Sequence, residues 1–535
     1  MKNAIIYSLD VETFLDGNGD GVGDFPGLTR KLDYLAGLGI TCLWLLPFYP
    51  SPNRDNGYDV MDYYNVDSRL GSLGDFVEFM IQAEERGIRI LVDLVVNHTS
   101  IEHPWFQSAR RDRHSPYRDF YVWSKDPAHN NPDELMFPGQ EQSLWTYDEQ
   151  GEAYYLHRFY EEQPDLNIAN QTVRSEICKI MGFWLELGVS GFRVDAAPHL
   201  IDPLGIRGAN AEDLEQFLSE MHDFVTSRHS DAILLAEASV EPAEISRYFG
   251  NGDRMEMLFD FLGNQSLFLA LARETGETLE QGLDKLPKIP SNGQWLNFVR
   301  HHDELSLAML SDEERQEVFA AFAPEESMQI FGRGIRRRLP PMLNNDRRRL
   351  ELVYSLVFSL PGTPMLRYGE EIGMGDDLSL PGRTSVRTSM QWENCKNGGF
   401  SRAAPEQLSR PVIDGGEYGY QQVNAIAQQR DPGSLVNWME RLIRIRKQCR
   451  EFGSGTAEIL ETDSPCVFAH CCYLQDTAMV AVHNLSDADC TAQLKSPKLS
   501  HFVELFSDRP YESVTEAAIA VAGYGYRWFQ AHRTV

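Results

Sequence analysis

The sequence has no apolar run approaching the ~18 residues that a membrane span requires. The 535-residue chain also opens without a basic segment followed by a long apolar stretch. It is poor in positive charge: 49 Lys and Arg stand against 79 Asp and Glu, a formal net charge of −30. A surface that acidic disfavours nucleic acid and anionic membranes as partners. Eight cysteines, at 42, 178, 395, 449, 466, 471, 472 and 490, form no paired C-x-x-C metal pattern, so free thiols in a reducing compartment are expected. These absences predict a cytoplasmic protein whose partners are neutral small molecules. A homo-oligomer is compatible with the sequence, which selects no assembly.

What is present is alternation. Short apolar runs predict strands at residues 4–7, 41–46, 89–96, 191–196, 232–236, 257–261, 296–299 and 364–368, with amphipathic helices such as 26–38, 73–86 and 173–187 between them. Eight strands separated by helices are the pattern of an α/β fold, a (β/α)8 TIM barrel. Residues 99–165 are too long for a loop and predict an inserted subdomain after the third strand. A second charged stretch, 305–349, contains RRRLPPMLNNDRRR. Its arginines read as solvated helix faces and surface salt bridges. After a helix at 435–449 the texture changes to short alternating segments. The expected organisation is a catalytic barrel over 1–98 and 166–450, an inserted subdomain over 99–165 and a C-terminal antiparallel β-domain, a β-sandwich, over 451–535.

Active sites of such barrels lie at the C-terminal ends of the strands. The third strand ends in Asp93 through His98, the fourth in Arg193-Val-Asp195, the fifth in Glu237 and the seventh in His301-His302-Asp303. Three carboxylates, Asp195, Glu237 and Asp303, thus converge on one mouth from three strands. Two carboxyl groups about 5 Å apart run a retaining glycoside cleavage: one attacks the anomeric carbon and the other protonates the leaving oxygen. Arg193 lies two residues before Asp195 and shares its face of the strand. Its guanidinium favours the ionised carboxylate, which makes Asp195 the natural nucleophile. Glu237 follows an apolar run, and partial burial there raises its pKa as an acid catalyst requires. Separately, residues 16–24, DGNGDGVGD, carry oxygen-bearing groups at every second position. Asp16, Asn18, Asp20, the Val22 carbonyl and Asp24 suit a hard cation, Ca2+ rather than Mg2+, because the donors are many and all come from protein. An Asp/Asn/Gly turn without metal is the alternative.

The segments 93–98, 191–199, Glu237 and His302-Asp303, in this order, resemble the short motif regions of the α-amylase family. Gln163-Pro-Asp-Leu-Asn167 resembles a further one, and Gln163 joins the substrate-binding set on that ground. The resemblance implies that Asp195 is the nucleophile, Glu237 the acid/base and Asp303 the carboxylate that holds the distorted sugar. It also implies that His98, Arg193 and His302 line the same glucose site. Asp55-Asn-Gly-Tyr58 resembles the segment of chain-end-cleaving members in which Tyr58 stacks under the terminal glucose and Asp55 binds its far hydroxyls and pairs with an arginine. Arg383-Thr-Ser-Val-Arg387-Thr-Ser-Met-Gln-Trp392 resembles the segment that supplies this arginine, which implies Arg387. The 16–24 loop is similar to the calcium loop of oligosaccharide-cleaving members, implying a structural Ca2+.

Over nearly its whole length the chain resembles the trehalose synthase branch of that family, in GIRRRLPPMLNNDRRR, SLPGTPMLRYGEEIGMGD and VRTSMQW among other stretches. This implies interconversion of maltose and trehalose through a covalent glucosyl-enzyme. Four departures fall on the acceptor side. Ala196-Ala-Pro-His199 stands for Ala-Val-Pro-Tyr, and Ala238-Ser239-Val240 for Ala-Asn-Gln. His301 stands for Asn, and Phe259-Asp260-Phe261-Leu262 for Phe-His-Phe-Pro. An α-glucosidase or α-glucosyltransferase with another acceptor therefore stays open. So, further off, does a non-catalytic sugar-binding barrel, although such relatives usually lose triad carboxylates and all three are present.

Overall fold

The computed structural model describes residues 1–127, 135–206, 208–495, 499–514 and 518–533. Eight strands close into a barrel: β1 (Ile6–Leu9), β2 (Cys42–Leu45), β3 (Arg89–Leu94), β4 (Gly191–Val194), β5 (Ile233–Ala236), β6 (Met257–Phe259), β7 (Gln294–Phe298) and β8 (Thr363–Arg367). Each pairs in parallel with its successor, and β8 returns to β1. All eight match expected strands. Covered on both faces, they read as unbroken apolar runs rather than alternating ones.

The first expected helix is broken into Phe25–Thr29 and Leu32–Leu38. Asp24 caps the first of these through Gly27 N. At its end the Thr29 hydroxyl turns back onto the Phe25 carbonyl, a side-chain bond that competes with the helical ladder.

The insertion after β3 carries the helix Pro104–Arg111 and a three-stranded antiparallel sheet with Ala153–Leu156 between Trp123–Ser124 and Trp145–Asp148. Residues 128–134 of the expected subdomain lie outside the described residues. Its two ends are pinned together by a bridge between His98 and Asp165 and by Leu166 N donating to Asn97 O at 2.8 Å. The second long stretch holds the helix Asp312–Phe322 and a three-stranded antiparallel sheet of Leu305–Ser306, Gly334–Ile335 and Gln329–Ile330.

The expectation of solvated arginines in this stretch is corrected at Arg338. It is 3% exposed and donates to the carbonyls of Tyr368 and Val386 at 2.9 and 3.1 Å. The irregular loop after β8 leaves carbonyls inside the protein that need donors, and the guanidinium supplies them. Arg347 and Arg348 form the expected outer pairs, with Glu351 and Asp346.

The C-terminal segment forms a five-stranded antiparallel sheet, ordered Thr456–Ile459, Val467–Leu474, Thr477–Asn484, Tyr526–Arg533 and Leu499–Ser507. A two-stranded sheet, Cys490–Gln493 with Ala518–Val521, shares one apolar core with it. Residues 496–498, 515–517 and 534–535 lie outside the described residues. The larger sheet docks on the barrel through Trp528 Nε1, which donates to Ser355 Oγ at 2.9 Å. None of the eight cysteines forms a disulfide. No helix among the described residues is long and apolar enough to cross a membrane.

Candidate active site

Parallel pairing of β3 with β4 sets Asp93 beside Arg193. Asp195 follows two residues later on the same face, and Glu237 ends the neighbouring β5. Arg193 is 1% exposed. Its Nη1 contacts Asp93 Oδ1 at 2.5 Å and also Asp195 Oδ1, while Nη2 lies 2.7 Å from Glu237 Oε2. Asp93 accepts two further hydrogen bonds, from Trp44 Nε1 at 2.9 Å and the Tyr58 hydroxyl at 3.2 Å. Ala196, with φ 46°, makes a sharp left-handed turn from β4 into the short helix Ala197–Leu200. That turn aims the Ala196 N–H at Glu237 Oε2, 3.2 Å away.

One guanidinium thus serves three carboxylates, and none of them escapes the cost of burial. Burial pushes Asp195 up to about 6; Arg193 pulls it down and Asp93 adds repulsion. Asp93 is likewise raised to about 6 by burial against Arg193. Glu237 reaches about 7, raised by burial, lowered by Arg193 and raised again by Asp195. Arg193 does favour the ionised form of Asp195, as expected, but burial outweighs it and leaves the carboxyl above its ordinary value. The order stands: Glu237 keeps its proton to higher pH than Asp195.

Asp303 faces this cluster. Its Oδ1 accepts from Arg383 Nη1 at 2.9 Å and Arg387 Nη2 at 2.8 Å. Its Oδ2 lies 3.1 Å from His302 Nε2. Burial alone would raise this carboxyl, but Arg383, then His302 and Arg387, hold it well below the usual range. The expected Arg387–Asp55 pair is corrected: Arg387 binds Asp303 and the His302 carbonyl, and no ion pair among the described residues joins it to Asp55. The cause is the turn at 382–386, which brings Arg383 and Arg387 onto the same carboxylate. Asp55 instead accepts from Gln163 Nε2 at 2.9 Å, and burial lifts it to about 6 against Arg387 and Arg383. The Tyr58 ring stacks on His302, with centroids 5.3 Å apart and planes 9° from parallel. His98 Nε2 lies 3.1 Å from the Tyr58 carbonyl.

These groups surround a pocket of about 210 Å³. By chemistry the lining has a charged and polar set, Asp55, Tyr58, His98, Asp195, Glu237, His302, Asp303 and Arg383, and a second, mostly apolar set, Met136, Phe137, Phe159, Ala196, Pro198, His199 and Ser239; the sets touch where Phe159 meets His98 and Phe137 meets Arg383. Arg193, Gln163 and Arg387 do not line the pocket. They stand behind the lining and hold it, which corrects their expected place at the substrate surface. Sequence reasoning left out Asp93, Trp44 and Arg383 as site residues. Arg383 was legible as the other arginine of its segment, and Asp93 as the strand-end partner of Arg193. Of the four departures, His199 and Ser239 reach the pocket. His301 packs against Phe259, Phe261 and Phe298 and accepts from Asp303 N at 3.2 Å. Asp260 caps the helix Phe261–Arg273. Neither ring nitrogen of His199 has a hydrogen-bond partner among the described residues. Burial, then Arg158 and His98, lower its pKa to about 3, so the imidazole is neutral.

The 16–24 loop does not line this pocket. Asp16 Oδ1 accepts from Asn18 N and Gly19 N, and its Oδ2 accepts from Gly21 N and Ser401 Oγ. Asn18 Oδ1 accepts from Asp20 N, and Asp20 Oδ1 from Val22 N. Asp24 Oδ1 accepts from Gly17 N and Gly27 N, while its Oδ2 is buried with no hydrogen-bond partner.

Residues 9–455 match the model of the alpha amylase catalytic domain. A trehalose synthase from Pimelobacter sp. (strain R48) is 41% identical, covering 99% of this chain and 95% of that protein. A trehalose synthase/amylase from Mycolicibacterium smegmatis is 40% identical, covering 99% and 92%. Among solved structures, an inactive double mutant of the trehalulose synthase MutB in complex with isomaltulose superposes with a TM-score of 0.80 at 26% identity, covering 99% of both chains.

Proposed function

This chain belongs to the α-amylase family, and from that premise we propose that it is a retaining α-glucoside-processing enzyme that interconverts maltose and trehalose. Asp195 attacks the anomeric carbon while Glu237 donates its proton to the leaving oxygen. The C1–O bond to the departing glucose breaks, an Asp195–C1 ester forms, and Glu237 is left ionised. In the second step a different hydroxyl of the retained glucose attacks C1, its proton returns to Glu237, and Asp195 is freed.

The observation that carries this reading is Arg193, bonded at once to Asp195 and Glu237. Negative charge leaves Asp195 as the ester forms and arises on Glu237 in the same step. A cation touching both has an anion beside it throughout, without reorganisation. Asp303, fixed by two arginines, is suited to bind sugar hydroxyls as a permanent anion. Met136, Phe137, Phe159 and Pro198 give the lining an apolar part, and few fixed polar contacts there let a retained glucose turn over.

The test is to incubate purified enzyme with maltose, and separately with trehalose, and to resolve the sugars by chromatography. Interconversion with little free glucose supports the reading. His199 and Ser239, the departures that line the pocket, favour one second reading, a glucosidase or glucosyltransferase with another acceptor. Accumulation of glucose or a new glucoside without trehalose would establish it.

We also propose Ca2+ as a structural ion in the 16–24 loop, held by Asp16, Asn18, Asp20, the Val22 carbonyl and Asp24. The unpartnered, buried Asp24 Oδ2 supports this, since an ion would satisfy an oxygen that otherwise bears an unrelieved desolvation cost. Chelation should lower the melting temperature and added Ca2+ restore it. We place the enzyme in the cytoplasm on the ground that none of its eight cysteines forms a disulfide.

A further inference from the structure

We propose that Cys466 and Cys490 are an oxidation site, and that a disulfide between them clamps the C-terminal β-domain onto the barrel turn at 274–276. The two residues belong to the two sheets of that domain. Cys466 directly precedes Val467–Leu474 of the five-stranded sheet, and its carbonyl accepts from Leu485 N at 2.9 Å. Cys490 opens Cys490–Gln493 of the two-stranded sheet, where it pairs with Val521. Both side chains pack against the apolar core that the sheets share. Their thiols are in contact. The Ser464 hydroxyl, 3.2 Å from Cys466 Sγ, reaches Cys490 as well. Each cysteine is partly exposed, within reach of a small oxidant.

The place of the pair gives it a consequence, because the segments beside the two thiols grip the same turn of the barrel. Next to Cys466, the Pro465 carbonyl accepts from Gly276 N at 2.8 Å and from Thr275 Oγ1 at 2.9 Å. The approach is close: a Cβ added at Gly276 would lie 2.5 Å from Phe468 N. On the Cys490 side, the Tyr524 hydroxyl donates to Glu274 Oε1 at 2.6 Å. Tyr524 follows Val521, the strand partner of Cys490, and Gly523 N donates to Asp489 Oδ1 at 2.9 Å. Two jaws thus hold one turn, and one thiol belongs to each. A bond between them closes residues 466–490 into a loop that contains Val467–Leu474 and Thr477–Asn484, two inner strands of the larger sheet. Closing such a loop in the unfolded chain favours the folded one.

The oxidant is a small-molecule disulfide such as oxidised glutathione. Burial, then the Cys466 thiol beside it, push Cys490 up to about 11, so Cys490 keeps its proton near neutral pH and the first attack falls to Cys466. The Cys466 thiolate attacks one glutathione sulfur, the glutathione S–S bond breaks, a mixed disulfide forms on Cys466 and one glutathione thiolate leaves. Cys490 then gives up its proton and attacks the Cys466 sulfur. The mixed bond breaks, the Cys466–Cys490 bond forms and the second glutathione thiolate leaves. Two protein thiols are oxidised, one glutathione disulfide is reduced to two thiols, and the two protons pass from the cysteines to the glutathiones. A reducing compartment runs the exchange backwards, so the clamp closes only when that poise is lost.

The experiment uses the full-length enzyme and the Cys490→Ser variant. Each is incubated folded with oxidised glutathione at mildly alkaline pH, the remaining thiols are alkylated, and the unreduced digest is read by mass spectrometry alongside a melting curve. The exposed Cys395 reports that the oxidant has acted. The expected result is a peptide pair joined through Cys466 and Cys490, lighter by two hydrogens than its parts, and a melting temperature raised by a few degrees that dithiothreitol returns to its starting value. Cys490→Ser should lose both effects and keep a glutathione adduct on Cys466. Alkylation of both Cys466 and Cys490 while Cys395 carries glutathione overturns the site, and so does a joined pair that forms only after unfolding in urea. A joined pair with an unchanged or lowered melting temperature overturns the clamp.

Discussion

The two sets of lining residues differ in how their polar groups are satisfied. In the charged set every charge is committed. Asp93, Asp195 and Glu237 share Arg193, Asp303 holds Arg383 and Arg387, and Asp55 accepts from Gln163. In the mostly apolar set His199 has a neutral imidazole with no side-chain hydrogen bond among the described residues, its ring against Phe159. A wired set fixes positions and protonation states, so it carries the chemistry and any single change disturbs several groups at once. A bare set fixes little, so it can change its residues, and with them the acceptor, at small cost to the fold.

The sharpest break of this contrast is at Asp195. Asp195→Asn should lower turnover of maltose by on the order of 10⁴-fold or more, since the ester cannot form. A steady-state assay with turnover near the parent's would dissolve the assignment of chemistry to the charged set. Arg193→Met should come next. It strands three buried carboxyls without their cation, and a loss of about 3–5 kcal/mol of stability is expected from such an unpaired site, read from the urea midpoint.

The shared cation also sets the pH response. Asp195, near 6, must be ionised, so kcat/KM falls as pH drops through about 6. Glu237, near 7, must be protonated, so kcat/KM falls as pH rises through about 7. The profile is then a narrow bell whose limbs belong to the interacting pair; a flat profile from pH 5 to 8 would contradict it. The smallest effect is expected in the mostly apolar set. His199→Phe leaves no donor or acceptor stranded, so stability should change by less than about 1 kcal/mol. The ratio of trehalose to other products should move while maltose cleavage stays within a few-fold of the parent. A large stability loss would mean that His199 is wired after all.

The sequence made the barrel legible because β1 to β8 are covered on both faces and leave uninterrupted apolar runs. Asp195, Glu237 and Asp303 were legible because strand ends in such a barrel point into one mouth. What it did not reveal lies in contacts between distant segments. Arg193 and Asp93 are 100 residues apart, and only the pairing of β3 with β4 shows that one guanidinium must serve a third acid as well. Arg387 was read as the partner of Asp55, but the turn at 382–386 turns it to Asp303. Arg338 looks in sequence like its outward-facing neighbours. Its inward turn depends on which carbonyls of the loop after β8 lack donors. The break between Phe25–Thr29 and Leu32–Leu38 was hidden because Leu28, Leu32, Leu35 and Leu38 keep one apolar face across it.

The bridge between His98 and Asp165 has a consequence for how this molecule can vary. Because both ends of the insertion leave the barrel through one pinned doorway, the barrel registers its length only as a loop to be closed. Doubling such a loop costs about 0.6 kcal/mol of closure entropy. Met136, Phe137 and Phe159 all lie on that loop. Those three lining residues can therefore be moved or exchanged with the insertion that carries them at nearly constant stability, while His199, Ser239, Asp195 and Glu237 stay anchored at the ends of barrel strands.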